Sequence, residues 1–418
     1  MKVTFKDCWY PDFDNQLLRK GTFFIDGDKI TFKEPVGEND ALFTNALVTP
    51  GLFDAHSHVA MDLFRGIGDD VSLDEWLNDY IWPLEARLND DYVYWSSLLA
   101  CLELIRSGST TFLDMYFWEK ATLKAAKEVG IRPIFTPGVI ERPGWESALE
   151  RVEELKNLGA LVGVGPHALY TVSMKIMPEV VEFAKKNNLF LHMHLMETAS
   201  EEAFIHNTLG KDYLKRLEDI GFFDVPVVFA HGVHFSEEDF DFLGKKNVVV
   251  AHCPQSNMKL SSGLFRWDKA KNNGVKVGIG TDGAASNNNL DFIEELRTGV
   301  LLARGVSGKP DLLSPLEALE SATAVPAKVL GLPLGEIKEG YWADVVVWDE
   351  SDISMVPVDK PEDWLSHIVY SSGSQAVKDV FVQGRWVLQN KSFVGINPLE
   401  VSDEVNKRRQ SIRKEDIL

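Results

Sequence analysis

The sequence predicts an α/β protein, a TIM-type (β/α)8 barrel that carries a small discontinuous β-sandwich built from the two chain ends. Between about residues 45 and 290, short β-branched or apolar runs alternate with helical patterns, which is typical of a parallel sheet built from βα units. Both chain ends are rich in strand patterns without a helical period. Eight of the ten histidines fall at or just past the carboxyl ends of predicted strands, the rim where TIM barrels build their sites.

Eight runs supply the predicted barrel strands. In chain order they are "ALVTPGLFDAHSH", "TTFLDMY", "RPIFTPGV", "LVGVGPHA", "LFLHMHLMET", "VVFAHGVH", "VVVAHCPQSN" and "KVGIGTDG". The intervening helices have recognisable starts: Ser72 with Glu75, and Ser314 with Glu317, have the spacing of capping boxes. Eight such units close a barrel.

The chain ends are predicted to pair with each other. "KGTFFIDGDKITFKE" has a turn centred on Asp26-Gly27, and "VKDVFVQGRWVLQN" has one at Gln383-Gly384. The predicted organisation is therefore a first part of the β-sandwich in residues 1–48, the barrel in 49–335, the second part of the sandwich in 336–395 and a terminal helix in 396–418.

Composition narrows the class of protein. The chain has 418 residues, of which 45% are hydrophobic, and 43 basic against 63 acidic residues give a net charge of −20. This charge argues against nucleic acid or an anionic membrane as a partner and favours a small-molecule substrate. The start of the chain lacks the apolar core of a signal peptide, which predicts a cytoplasmic protein. The scattered Cys8, Cys101 and Cys253 form no disulfide framework and are expected to pack as small hydrophobic residues.

A metal site is predicted from four residues on three strands. His56 and His58 lie two apart on the first strand, so their side chains share one face above Asp54. His194 on the fifth strand and Asp282 after the eighth complete three imidazoles and one carboxylate, a set that zinc accepts. Iron and manganese accept it as well.

Further rim residues are candidates for acid–base work. Glu197 follows His194 where the strand gives way to a loop, within reach of an attacking water and a substrate nitrogen. His231 in "FAHGVH" can hydrogen-bond the attacking oxygen and polarise the reacting centre. His192 shares the face of His194 but lies deeper, in a packing or supporting role, and His234 and His252 are expected to be mainly structural.

The motifs "PGLFDAHSHVAMDLFRG", "HMHLMET", "AHGVH", "HCPQSNMKL" and "GIGTDGAASNN" resemble the amidohydrolase superfamily. Within it they are similar to the branch of 5-methylthioadenosine/S-adenosylhomocysteine deaminases and related chlorohydrolases. The resemblance implies a distorted (β/α)8 barrel whose metal is bound by His56, His58, His194 and Asp282 beside a catalytic Glu197. Binuclear relatives carry a bridging lysine on strand four, which "LVGVGPHA" lacks, so one divalent metal ion is expected.

The resemblance also implies substrate contacts. In nucleoside-deaminating relatives the residue matching Glu85 binds ribose hydroxyls, that matching Trp76 lines the pocket, and that matching His167 contacts the nucleoside; Ser286 is a further candidate. Relatives that take S-adenosylhomocysteine hold its carboxylate with arginines after strand three. Here Arg142 is the candidate replacement, and Trp145 is a candidate contact for a methylthio group.

The favoured function is hydrolytic deamination of a 6-aminopurine nucleoside, either 5′-methylthioadenosine or adenosine, with S-adenosylhomocysteine as a further substrate. Water attacks the ring carbon that bears the amino group; Glu197 moves protons to the ring nitrogen and the leaving amine, while Asp282 takes a proton from the water. One alternative is a related hydrolase acting on guanine, cytosine or a triazine-like ring. Another is a metal-binding barrel without catalysis. The resemblance also allows a homo-oligomer.

Overall fold

The structure is a computed structural model that describes residues 1–414, and the last four residues of the predicted terminal helix lie outside them. It is an α/β protein whose α-helices surround parallel strands. The helices are Leu73–Glu75, Trp82–Glu85, Asp90–Arg106, Glu119–Val129, Ser147–Asn157, Met177–Asn187, Ala199–Leu209, Tyr213–Asp219, Glu237–Leu243, Pro254–Lys259, Trp267–Asn272, Ala284–Asn287, Phe292–Ser307, Pro315–Ser321, Ala324–Leu330, Asp363–Tyr370 and Pro398–Lys414.

Each of the eight predicted barrel runs contains a strand. One parallel sheet has the order Leu161–Val162, Arg132–Phe135, Ser109–Asp114 and Leu52–Ser57, and another has the order Leu191–Leu195, Val227–His231, Val248–His252 and Lys276–Ile279. Gly138–Val139 and Gly165–Pro166 form a short parallel pair. Single parallel bridges, Ser57 to Asp282 and Val164 to Leu191, connect the two large sheets. The result is a TIM-barrel-like arrangement.

These strands are continuous apolar runs because both faces are covered. Every residue of Val248–His252 is buried, as expected for a parallel sheet with helices outside. Asp54 is a buried exception: its carboxylate accepts from the Thr281 N–H at 3.0 Å and the Thr281 hydroxyl at 2.6 Å. This contact ties the first strand to the segment after Lys276–Ile279, which is where the predicted metal ligands lie.

The chain ends form two further sheets. The first contains Lys2–Asp12, Leu17–Asp26, Lys29–Thr31 and Ala41–Thr44, and the second contains Val48–Pro50, Val345–Trp348, Val377–Val382, Arg385–Gln389 and Ser392–Phe393. They share a core in which Phe5 stacks on Phe23 with ring centroids 4.5 Å apart and meets Phe381 edge-on at 6.0 Å.

Local details differ from the sequence predictions. Asp26 pairs with Lys29, so the hairpin between Leu17–Asp26 and Lys29–Thr31 turns at Gly27 and Asp28, one residue later than expected. The segment 336–395 also contains the helix Asp363–Tyr370. The capping box at Ser314 is present in full, and the Ser72 hydroxyl accepts from the Glu75 N–H at 3.4 Å.

Two contacts fix the chain ends to the barrel-like unit. Arg132 and Asp344 form a buried ion pair, with one guanidinium nitrogen 3.0 Å from Asp344 Oδ1. From the terminal helix, the Arg409 guanidinium donates to the carbonyls of Leu63 and Arg65, just after the histidine pair. Among residues 1–414, no helix has both the length and the apolar character needed to cross a membrane.

Candidate active site

The structure brings His56, His58, His194 and Asp282 together at one point. Asp282 Oδ1 lies 3.6 Å from His56 Nε2 and 3.3 Å from His58 Nε2, and His194 Nε2 lies 3.3 Å from His58 Nε2. Donor atoms about 2.1 Å from a tetrahedral metal ion stand about 3.4 Å apart, which these separations match. His56 Nε2 is a buried nitrogen without a hydrogen-bond partner in the structure. The residues present therefore fit a divalent metal ion.

In His58 and His194 the ring proton lies on Nδ1, on the side of the ring that faces away from Asp282. His58 Nδ1 is 2.5 Å from the carbonyl of Met115, and His194 Nδ1 is 2.9 Å from the carbonyl of His167. Because a carbonyl only accepts, both Nδ1 atoms carry the proton and both Nε2 atoms present a lone pair. Burial lowers the pKa of both histidines, so they are neutral at pH 7, as metal ligands must be.

Asp282 is held so that one carboxylate oxygen faces the histidines. The Ser256 hydroxyl donates to Asp282 Oδ2 at 2.6 Å, which leaves Oδ1 toward His56 and His58. Burial alone would raise the pKa of Asp282, but the neighbouring imidazoles, which attract the carboxylate when they are protonated, outweigh this effect and hold that pKa well below its usual range. Asp282 is therefore an anion at neutral pH.

Glu197 and His231 form a second pair beside this cluster. Glu197 Oε2 lies 3.7 Å from His231 Nε2, and both side chains are buried. His231 Nδ1 donates to Asn257 Oδ1 at 2.9 Å, while the Glu197 N–H donates to Glu201 Oε2 at 2.7 Å. Burial lowers the pKa of His231, but the charges of Glu197 and Asp282 together raise it by more, so the net shift is upward. His231 also lies within metal-binding reach of His56 and His194.

Three strand ends at this site have left-handed backbone. Met196, His231 and Asp282 have φ of 56°, 74° and 61°. Such conformations cost about 1–3 kcal/mol each in non-glycine residues and cluster at functional sites. Here they redirect the chain at the carboxyl ends of the strands, so that Glu197, His231 and Asp282 face a common space.

All the remaining predicted substrate contacts except Trp145 line one cavity of about 620 Å³, together with His58, His194 and Asp282 of the cluster. Trp76 is buried and donates from Nε1 to the Ile67 carbonyl at 3.0 Å. Glu85 accepts from the Tyr116 hydroxyl at 2.7 Å, and burial raises its pKa to about 7. His167 and Ser286 also line the cavity. Trp145 is not among its lining residues and packs against the hydrophobic core instead.

The charged residues of the cavity wall are mostly paired. Arg151 Nε donates to the buried Glu119 at 3.1 Å, and Lys120 Nζ lies 3.0 Å from Glu154. Arg142 also lines the cavity, is exposed, and has no carboxylate partner within residues 1–414. Arg142 is thus the cation of this wall that is available to a ligand.

Residues 47–387 match the Amidohydrolase family. The chain belongs to this family. Two curated proteins show how the amidohydrolase relatives of this chain are named. The 5′-deoxyadenosine deaminase of Methanocaldococcus jannaschii is 37% identical over 94% of this chain and 97% of its own length. The 5-methylthioadenosine/S-adenosylhomocysteine deaminase 1 of Archaeoglobus fulgidus is 40% identical over 86% of this chain and 88% of its own. The resemblance inferred from the motifs is confirmed, and the chain is a hydrolase acting on carbon–nitrogen bonds of cyclic amidines.

Two solved structures are similar to this chain over nearly its whole length. An adenosine deaminase from Xanthomonas campestris with bound zinc superposes with a TM-score of 0.92 at 28% identity, over 99% of this chain and 98% of that one. The atrazine chlorohydrolase TrzN from Arthrobacter aurescens, with zinc, has a TM-score of 0.87 at 21% identity, over 97% of this chain and 100% of that one, which shows a shared fold.

Several residues of the site were not predicted. Ser256 and Asn257 lie in the motif "HCPQSNMKL", which pointed to the family but not to their contacts with Asp282 and His231. Tyr116 and Glu201 support Glu85 and Glu197 through bonds that require the folded chain. No local pattern marks these two residues.

Proposed function

We propose that this amidohydrolase is a metal-dependent deaminase of a 6-aminopurine nucleoside and releases ammonia and the corresponding inosine derivative. One observation carries the proposal: Glu197 and His231 line a single cavity with His58, His194 and Asp282, and His56 lies directly behind these three ligands. The named deaminase relatives support it. The metal expected there is one zinc ion.

Bound zinc lowers the pKa of a coordinated water toward neutrality and so supplies a nucleophile. Asp282, whose carboxylate is held in place by Ser256, would accept the proton that the attacking water loses. Glu197 gives a proton to the ring nitrogen beside the reacting carbon, and His231 hydrogen-bonds the attacking oxygen. The proton on Asp282 would then pass to the amino group, so that the carbon–nitrogen bond breaks and ammonia leaves. The proton of the new hydroxyl would return to Glu197, and a lactam remains.

The nucleoside is proposed to lie with its ribose against Glu85 and its base against Trp76 and His167, near Ser286. Tyr116 occupies Glu85 Oε1, which leaves the other oxygen for a ribose hydroxyl. Beyond the ribose, the cavity wall contains Phe117, Trp118 and Ile140. We therefore infer that an apolar or absent 5′ substituent is preferred, and that Arg142 receives a carboxylate where the substituent carries one.

The decisive experiment measures ammonia release by zinc-loaded protein. The panel contains 5′-methylthioadenosine, 5′-deoxyadenosine, adenosine, S-adenosylhomocysteine, guanine and cytosine. Glu197→Gln is expected to keep its zinc and to lose about two to four decades of turnover, the range of a positioned acid–base group. Glu202→Gln, in the helix Ala199–Leu209 that follows Glu197 and only moderately buried, is the matched control and is expected to retain parental turnover.

Two results would contradict the proposal. Turnover of free bases without turnover of the adenosine compounds would remove the ribose role of Glu85. Near-parental turnover by Glu197→Gln would remove its acid–base role. For the substituent, Arg142→Met is expected to weaken S-adenosylhomocysteine selectively, and an equal loss with 5′-methylthioadenosine would refute the carboxylate contact.

A further inference from the structure

A chain of hydrogen bonds runs from His56 away from the cavity into the protein interior. His56 Nδ1 lies 2.9 Å from His192 Nε2, and His192 Nδ1 lies 2.9 Å from the hydroxyl of Thr136. That hydroxyl lies 3.1 Å from the main-chain carbonyl of Asp114. All four residues are buried, with side chains at most 1% exposed, so water does not compete for these bonds.

The donors and acceptors in this series of hydrogen bonds can be arranged in two ways. The two arrangements differ in whether His56 Nε2 carries a proton or a lone pair that can bind a metal. If Thr136 donates to His192 Nδ1, then His192 Nε2 carries a proton, donates to His56 Nδ1 and leaves the His56 proton on Nε2. A protonated Nε2 cannot bind a metal. If Thr136 donates to the Asp114 carbonyl, each proton shifts to the other end of its bond. His56 Nδ1 then donates to His192, and His56 Nε2 is a bare lone pair.

The backbone favours the second arrangement. The Asp114 carbonyl only accepts, and it already receives the Thr136 N–H at 2.8 Å, so it lies beside the Thr136 hydroxyl in a fixed position. A β-branched side chain has few χ1 rotamers, which keeps this hydroxyl aimed at both partners. His58 and His194 donate directly to carbonyls, whereas His56 reaches a carbonyl only through His192 and Thr136.

We propose that Thr136 and His192 are positioning residues that set the tautomer of His56 and thereby make it a metal ligand. The inference rests on the metal site of the proposed function, but its test requires no substrate. Failure of the ammonia assay and failure of this inference are therefore distinguishable.

The experiment compares zinc dissociation constants by chelator competition. Thr136→Val keeps the shape of the side chain and removes the hydroxyl, and the zinc dissociation constant is expected to rise about 10- to 100-fold, as for other groups that support a ligand. Thr136→Ser restores the hydroxyl and is expected to bind zinc nearly as tightly as the parent.

Thr122→Val is the matched control. Thr122 is also fully buried and bonded through its hydroxyl, to Ser97 at 2.9 Å, but it contacts no predicted ligand. The melting temperature of each metal-free variant measures the loss of fold stability separately. Unchanged zinc affinity in Thr136→Val, or an equal loss in Thr122→Val, overturns the proposal.

A second measurement uses the unaltered protein and does not depend on a variant that folds. Nitrogen-15 labelling of histidine and NMR of the zinc-loaded protein report which ring nitrogen bears each proton. The proposal expects the His192 proton on Nδ1 and the His56 proton on Nδ1. A His192 proton on Nε2 overturns it.

Discussion

The proposed contact between Glu85 and the ribose predicts that nucleoside binding depends on pH, in a direction that follows from the burial of Glu85. Burial raises the pKa of Glu85 to about 7, although the hydrogen bond from Tyr116 acts in the opposite direction. Below that pH the carboxyl is neutral and above it is the anion that accepts strongly from ribose hydroxyls. Binding should therefore weaken as the pH falls through 7.

The magnitude follows from the ionised fraction. With a pKa of about 7, roughly one Glu85 in eleven is ionised at pH 6 and roughly ten in eleven at pH 8. The apparent dissociation constant scales inversely with the competent fraction, so it should rise about tenfold from pH 8 to pH 6. Isothermal titration of the inosine-type product at pH 6, 7 and 8 measures this without turnover.

Two variants assign the effect to Glu85. Glu85→Gln cannot ionise, so its binding should be weak at every pH and nearly independent of pH over this range. Tyr116→Phe removes the bond that lowers the pKa of Glu85 and should move the midpoint above 7. A parent whose affinity is flat between pH 6 and 8, or a Glu85→Gln variant that keeps the tenfold slope, would refute the reasoning.

Two further predictions concern the contacts that hold the site and the two chain ends together. Asp344→Ala leaves the buried Arg132 guanidinium without its partner, so the free energy of unfolding in urea should fall by about 3–5 kcal/mol. In Gly280→Ala the new Cβ would lie 2.9 Å from both the Cβ and the carbonyl oxygen of His56, so His56 must shift. Zinc affinity, measured by chelator competition, should then fall about 10- to 100-fold.

Each of these predictions has a matched control. Asp349→Ala breaks a more exposed ion pair with Lys391 and should cost at most about 1 kcal/mol. Gly305→Ala places its Cβ in open space and should leave zinc affinity unchanged. An Asp344→Ala variant as stable as Asp349→Ala, or a Gly280→Ala variant with parental zinc affinity, would contradict the packing described here.

The metal ligands could be predicted from the sequence alone because each is marked by a local pattern of residues. His56 and His58 share one face of a strand by the two-residue period of β-structure. His194 and Asp282 follow from the ends of two other predicted strands. In the structure Asp282 lies 3.6 Å from His56 and 3.3 Å from His58, and His194 lies 3.3 Å from His58. The positions of the barrel strands could also be predicted from the sequence, because buried parallel strands are short continuous apolar runs bounded by turns.

Hydrogen bonds between residues far apart in sequence could not be predicted from local patterns. Thr136 and His192 are 56 residues apart, and Ser256 and Asp282 are 26 apart. Whether such pairs meet depends on strand order and on how far each strand extends, and no local period records either. The turn at Gly27 and the helix Asp363–Tyr370 were misjudged because short segments carry little periodic signal.

Residue type and spacing thus indicated the family and predicted the ligand set and the acid–base residues, because each ligand or catalytic group is specified by its own strand and its own chemistry. The folded chain alone defined which ring nitrogen carries the proton in His58 and His194, which oxygen of Asp282 faces the histidines and how far the pKa of Glu85 rises. Those properties arise from buried neighbours contributed by other strands, and desolvation and hydrogen bonding act only once these neighbours are packed together.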